Sequence, residues 1–267
     1  MLNNNSLVPA SGLALILILA AMQSAAAQLE TAEEIRDCAR ANSPEKTSMQ
    51  FIELESHDRA GRKKKMDAQL RWKKHDDGHV RLMIRVMGPQ DLKGSSYLVI
   101  ENQNKPRDTV YVYLPALARA RRIVGGGSKK IWGTDFSYED LRLLQMKDTA
   151  SDDQRLDDAE VAGRPTYVLS QVPHADQESA YERIVSFVDK ETCVAIKTEY
   201  YESGDRLRKR LLVDPETVAQ VNGLWTAHHL EMNDIREETT SWLRVEKITF
   251  DEDMSSRYFN TVQFWGN

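Results

Sequence analysis

The apolar positions of this chain recur mostly with a period of two, the spacing of half-buried β-strands. From His79 to Met87, Val80, Leu82, Ile84 and Val86 share one face, while Arg81 and Arg85 point the other way. That alternation predicts a strand with one side against a core, ended by Gly88-Pro89. Tyr97 to Glu101 and Thr109 to Leu114 have the same character, with the polar cluster Asn102 to Asp108 as the turn between them. The period changes to two already at Met49, through Phe51 and Leu54, and resumes beyond the basic run Arg62 to Lys65. Further strands are expected at Pro165 to Ser170, Tyr181 to Val188, Cys193 to Tyr201, Arg206 to Val213, Leu224 to Met232 and Thr239 to Phe250. The links Asp189 to Thr192 and Glu202 to Asp205 are short enough for hairpins, so neighbouring strands should pair antiparallel.

Helical signals are few. Thr31 followed by Glu33 and Glu34 opens a short helix with Ile35, Cys38 and Ala39 on one face, and Ser43-Pro44 ends it. Ser137 with Asp140 three residues on caps a second short helix, whose apolar side holds Phe136, Leu141 and Leu144. The acid-rich stretch Lys147 to Glu160 reads as a solvated loop. No internal repeat interrupts the series. The expected fold class is mainly β (α+β): one large curved antiparallel sheet covered by a few short helices, with a β-sandwich as the alternative. Strands without intervening helical periods argue against a doubly wound α/β enzyme.

The amino-terminal stretch changes the compartment. Leu13 to Ala21 is an apolar and small-residue run of the length of a signal-peptide core, and Ala25 to Ala27 supplies a cleavage site, although Met1 to Ser11 lacks Lys and Arg. Residues 1–27 are therefore expected to be a signal peptide and residues 28–267 a single exported domain, placed in the periplasm. No cysteine stands at the cleavage point, so lipidation of this chain is not expected. After Ala27 no apolar run approaches the roughly 18 residues of a spanning helix. With 36 Lys and Arg against 41 Asp and Glu, the net charge of -5 offers no basic footprint for phosphates, and nucleic acid is not an expected partner. The two cysteines of an exported chain either join as a Cys38–Cys193 disulfide or stay as two buried thiols.

Catalytic patterns are not found. The six histidines are dispersed, and adjacent His228 and His229 on a strand face opposite sides, so they cannot both ligate one metal without distortion. There is no G-x-S-x-G elbow, and Gly125 to Lys130 lacks the spacing of a phosphate-cradling loop. Acid pairs such as Asp135 and Glu139, or Glu231 and Asp234, are not an acid and base couple by spacing alone. No catalytic residue, metal or cofactor is expected.

One stretch is unlike ordinary sheet punctuation: Tyr113-Leu-Pro-Ala-Leu-Ala-Arg-Ala-Arg-Arg-Ile-Val-Gly-Gly-Gly, then Ile131-Trp-Gly-Thr-Asp-Phe-Ser-Tyr-Glu-Asp-Leu. It resembles the LolA-like family of outer-membrane lipoprotein-sorting proteins, and the order of helix, strands and hairpins extends the likeness across residues 28–267. The resemblance implies a half-open antiparallel barrel whose apolar concave face, lidded by helices, holds acyl chains, with an acylated protein or lipid as ligand. It also suggests an RND-type exporter as a membrane partner. No position here matches the lipoprotein carrier's cavity arginine, so none is assigned.

Alternation proposes Leu82, Ile84, Val86, Val110, Val112 and Leu114 as cavity lining, joined by Trp132, Phe136 and Leu141 from the signature. Tyr111, Tyr113, Trp132, Trp225 and Trp242 suit a pocket mouth or a β core equally. Arg119, Arg121, Arg122, Lys129 and Lys130 form a basic patch: a solvated loop, or a contact for anionic headgroups or an acidic partner with Gly125 to Gly127 as its pivot. An interaction module that binds no lipid, and a hydrolase with an unrecognised site, are the remaining alternatives.

Overall fold

The computed structural model describes residues 28–101, 108–123, 130–144, 150–177 and 179–266, so the expected leader, Gly125 to Gly127 and Lys129 lie outside the described residues. The chain opens with α1 (Ala32–Arg40) and continues through β1 (Thr47–His57), β2 (Lys63–Lys74), β3 (Val80–Gly88), β4 (Ser96–Ile100), β5 (Thr109–Leu114) and β6 (Arg119–Ile123). Then come α2 (Tyr138–Leu143), β7 (Ser151–Val161), β8 (Arg164–Pro173), β9 (Arg183–Asp189), β10 (Ala195–Glu202) and β11 (Arg206–Val213). The last strands are β12 (Val218–Val221), β13 (Leu224–Ala227), β14 (His229–Asp234) and β15 (Thr239–Phe250).

Thirteen strands make one sheet in the order β6-β5-β4-β3-β2-β1-β15-β14-β11-β10-β9-β8-β7, while β12 and β13 form a separate hairpin. All pairings are antiparallel, and β15 closes back on β1 to join the two halves. The sheet is not closed: β6 and β7 are its free edges. Register carries one face across it, from Val110 and Val99 through Leu82, Trp72 and Leu54 to Leu243, Leu230, Val213, Thr198 and Ser186. Val110 on β5 and Ile184 on β9 belong to one contiguous buried cluster although eight strands lie between them in the order, so this face is concave.

Local chemistry explains the helices. The Thr31 hydroxyl accepts from Glu34 N at 3.1 Å and the Glu34 carboxylate accepts from Thr31 N at 2.9 Å, a reciprocal cap on α1. Ile35 and Ala39 then pack on Tyr167, Leu169 and Val188, laying α1 over the concave side of β8 and β9. On the convex side, Met254, Phe259 and Phe264 from the carboxyl-terminal segment cover Met83 and Leu98, and Trp265 stacks on Tyr113 at 4.6 Å.

Four expectations are corrected. The stretch Lys147 to Glu160 is no solvated loop where it is described: Ser151–Val161 is edge strand β7. Its inward side meets α1 through polar groups, Asp153 with Arg36 at 2.9 Å and Ser151 with the same guanidinium at 3.1 Å, while its outward side is largely exposed, so the apolar alternation vanishes. The single strand expected over Leu224 to Met232 is two, β13 and β14, which belong to different sheets. Along β1 the inward positions are Ser48, Gln50, Ile52 and Leu54, so Met49 and Phe51 face outward, and a register shift opposite Glu246 lies beside them. The run Arg119 to Arg122 is part of edge strand β6 rather than a loop.

A lidded cleft on the concave face

Residues 130–144 cross the concave face and are fixed to it by buried polar groups. Asp135 is 1 % exposed; its N–H donates to Ser241 Oγ at 2.8 Å, and its carboxylate accepts from Ser241 Oγ at 2.8 Å, Thr239 Oγ1 at 2.6 Å and Lys130 Nζ at 2.8 Å. One turn on, Asp140 caps α2: its carboxylate accepts from Ser137 N at 2.6 Å while Ser137 Oγ accepts from Asp140 N at 3.1 Å. The same carboxylate accepts from Tyr181 OH at 2.6 Å and from Lys209 Nζ at 2.7 Å, and Lys209 also donates to the Asp135 carbonyl at 2.8 Å. Asp234, beside this group, is held by Arg208 and by Lys130 at 3.2 Å. Every buried carboxylate here meets at least one cation or hydroxyl, the condition for charge to be tolerated away from water.

The electrostatics follow from that enclosure. Burial, reinforced by the Asp140 carboxylate, pushes the Tyr181 phenol well above its usual range, and burial with Asp140 and Glu139 nearby does the same to Tyr200. Burial raises Asp234, but the Arg208 guanidinium and the Glu237 N–H outweigh it and hold its carboxyl below the usual range. Among the described residues, no group of three or more His, Cys, Asp and Glu side chains is placed to hold a metal ion.

Beside this anchored segment a cleft opens, enclosing about 1290 Å³ when the space open to solvent at its mouth is included. Its floor is the concave face of the joined halves: Leu70, Ile248, Phe250, Val245 and Leu243, then Leu230, Val213, Tyr200, Thr198, Ser186 and Ile184. Leu141, Leu143 and Leu144 form one wall, and Ala39 with Ser43 and Pro44 after α1 another. The β12–β13 hairpin contributes Trp225 to Ala227. Asn42 ties these walls together, donating to the Thr192 carbonyl at 2.8 Å and accepting from Trp225 N at 3.0 Å. Cys38 and Cys193 are disulfide-bonded with Cα atoms 5.5 Å apart, which fixes α1 to the turn between β9 and β10 at the rim.

The positions singled out in the sequence divide. Leu82, Ile84, Val86, Val110, Phe136 and Leu141 lie together in the large concave cluster, with Trp132 half-buried against Tyr97 at 4.5 Å between ring centres. Val112 is buried on the same face of β5, whereas Leu114 at its end is 37 % exposed. Of these nine, only Leu141 borders the cleft. The space over β3 to β5 is filled by Ile131, Phe136 and Tyr138 from the crossing segment, and the hollow lies under the later strands. Trp225 lines the cleft, while Tyr111 and Tyr113 pack on the convex side and Trp242 Nε1 donates to Glu231 at 2.9 Å.

The basic residues part company as well. Arg119, Arg121 and Arg122 are exposed on β6 and make no ion pair among the described residues, whereas Lys130 is bound to Asp135 and Asp234. The floor residues of β9, β10, β11, β14 and β15 were not singled out from the sequence. Those of β10, β14 and β15 alternate as clearly as β3 does, whereas β9 has Val185 and Phe187 on the face opposite Ser186; the further missing signal was which half of the sheet the crossing segment fills.

Comparison with known proteins agrees with this architecture. A family model described as "-like: Uncharacterized protein" matches residues 78–264. No curated protein sequence matches the chain. Among solved structures, a DUF1329 family protein from Desulfovibrio piger aligns with a TM-score of 0.78 at 25% identity, covering 87% of this chain and 98% of that one. A domain from Vibrio parahaemolyticus assigned to outer membrane lipoprotein sorting aligns with a TM-score of 0.75 at 24% identity, over 86% of this chain and 97% of that one. A LolA superfamily protein from Nitrosomonas europaea has the same fold, with a TM-score of 0.68 at 15% identity over 87% and 98% of the two chains. By these matches the chain belongs to the family whose model covers residues 78–264, and its unclosed, lidded sheet has the fold of the LolA superfamily protein and of the lipoprotein-sorting domain.

Proposed function

We propose that this protein is a non-enzymatic periplasmic carrier that holds the acyl chain of a lipidated protein, or another hydrophobic molecule, and passes it toward the outer membrane. The observation that carries the reading is the cleft: a largely apolar floor bordered by a lid that buried polar contacts anchor at Ser241 and Lys209 while Ile131, Phe136 and Tyr138 pack beside it. Burying hydrocarbon is worth about 0.8 kcal/mol per methylene, so such a surface supplies affinity without catalytic groups. The assignment of the Vibrio parahaemolyticus domain to lipoprotein sorting supports the same reading. An RND-type exporter as membrane partner belongs to this proposal through the sequence resemblance.

Within it, Arg119, Arg121 and Arg122, which make no ion pair among the described residues, present a basic edge to anionic headgroups. Replacing the three with glutamine should weaken binding to vesicles containing anionic lipid, more so at low salt; unchanged binding would remove that contact.

Native mass spectrometry of the protein purified from periplasm tests the main reading. A co-purifying acylated ligand is the expected result. A stoichiometric protein partner with no lipid, and no uptake of a fluorescent acyl probe by the purified chain, would replace the carrier with an interaction module.

A further inference from the structure

Of the polar side chains that interrupt the apolar floor of the cleft, Ser48 and Gln50 lie on β1 and three hydroxyls cluster on β9 and β10. Ser186 on β9 and Thr198 on β10 stand directly opposite each other in the ladder, and Tyr200 follows two residues on, opposite Ile184. They are 3 %, 6 % and 1 % exposed, and none of the three side chains makes a hydrogen bond to a described residue. Their oxygens are nevertheless absent from the buried atoms sealed away without a partner, so they reach the open space of the cleft.

A wholly hydrocarbon occupant would strip water from these hydroxyls and leave them unpaired, which is unfavourable in an apolar surrounding. An occupant carrying carbonyl oxygens would pair them. The setting also selects against negative charge. The Tyr181 ring lies 4.8 Å from that of Tyr200, and behind it stands the Asp140 carboxylate with Glu139 nearby. Tyr200 therefore stays a neutral donor, and because the cleft's lining holds no Lys, Arg or His among the described residues, a free carboxylate would lose its hydration with no cation to replace it.

On the basis of the carrier reading, we infer that Ser186, Thr198 and Tyr200 form a hydrogen-bonding track for neutral carbonyl oxygens, making the ligand an ester- or amide-linked acyl group rather than a bare hydrocarbon or a fatty-acid anion.

The test measures displacement of a neutral, environment-sensitive naphthylamine dye by 1-monopalmitoylglycerol, palmitate and hexadecane. The wild-type chain should prefer the glycerol ester to palmitate. The variant Ser186→Ala/Thr198→Val/Tyr200→Phe should bind the ester about tenfold more weakly. Its hexadecane affinity should be unchanged or higher. Should the triple variant show a collapsed melting transition, Tyr200→Phe alone carries the comparison, with about a threefold loss for the ester expected. A variant that leaves the ester-to-hexadecane ratio unchanged overturns the track while leaving the carrier in place. A wild-type chain that takes up neither dye nor any of the three lipids overturns both.

Discussion

Lys209→Met removes the cation at the centre of the lid's anchorage. The Lys209 side chain is 6% exposed and that of Asp140 0%, and the ammonium donates both to the Asp140 carboxylate at 2.7 Å and to the Asp135 carbonyl at 2.8 Å. Breaking a buried pair by deleting one partner costs about 3 to 5 kcal/mol, because the remaining charge is left uncompensated. Asp140 keeps the Tyr181 hydroxyl and the Ser137 N–H, which places the expected loss near the lower end, about 3 kcal/mol. For a domain of this size each kcal/mol shifts the melting midpoint by roughly 2 to 4 °C, so a fall of about 6 to 12 °C is expected. Urea unfolding of Lys209→Met, Asp140→Asn and the double variant measures the coupling directly. If the pair is as enclosed as its contacts indicate, the double variant loses less than the sum of the singles, by about 2 kcal/mol. A single-variant loss under about 1 kcal/mol, or strict additivity, would refute the reasoning.

Three further outcomes are expected. Ala227→Trp adds a large side chain at the wall of the cleft and should lower acyl-dye affinity at least tenfold with a melting midpoint close to wild type, checked by fluorescence titration and calorimetry. Thiol titration of unfolded protein without reductant should find no free cysteine, and Cys38→Ser/Cys193→Ser, which opens a link between residues 155 apart in sequence, should cost about 2 to 4 kcal/mol in urea unfolding. The third concerns acid. Burial raises Asp234 and Asp189, but Arg208 in one case and Arg164 with Thr192 in the other bring both below the ordinary aspartate value of 3.8. The stability they contribute is present above that value and is lost as pH falls through their depressed folded values. Urea midpoints should therefore drop on acidification below about pH 4, and Asp189→Asn should flatten that limb. A midpoint curve unchanged by Asp189→Asn would contradict the assignment.

How much of this was legible in the sequence depends on what each segment touches. On β3 one face meets the core and the other carries Arg81 and Arg85, so a period of two survives and the strand is readable. On β7 the outward face is largely exposed and the inward face meets α1 through polar groups such as Asp153 with Arg36, so the same backbone geometry leaves no hydrophobic trace. Both helix caps were readable because Thr31 with Glu34 and Ser137 with Asp140 are local pairs. Lys209 and Asp140 are 69 residues apart, and nothing in either neighbourhood announces that they meet. The hollow was misplaced for a related reason. Alternation tells which side chains point inward, but whether they meet protein or open space depends on where residues 130–144 lie, which Asp135 settles through Ser241, 106 residues away. The convex cover by Met254, Phe259 and Phe264 was likewise invisible, since its partners Met83 and Leu98 sit on the face that alternation assigns to solvent.

The unclosed sheet ends on two margins of contrasting sign. One carries Arg119, Arg121 and Arg122, the other Asp152, Asp153, Asp157, Asp158 and Glu160 with Arg155 among them. Two molecules approaching through the same margin would set like charges side by side, so symmetric strand-to-strand dimers are opposed at either end. The open sheet gains from this a built-in resistance to zipping up with its own kind.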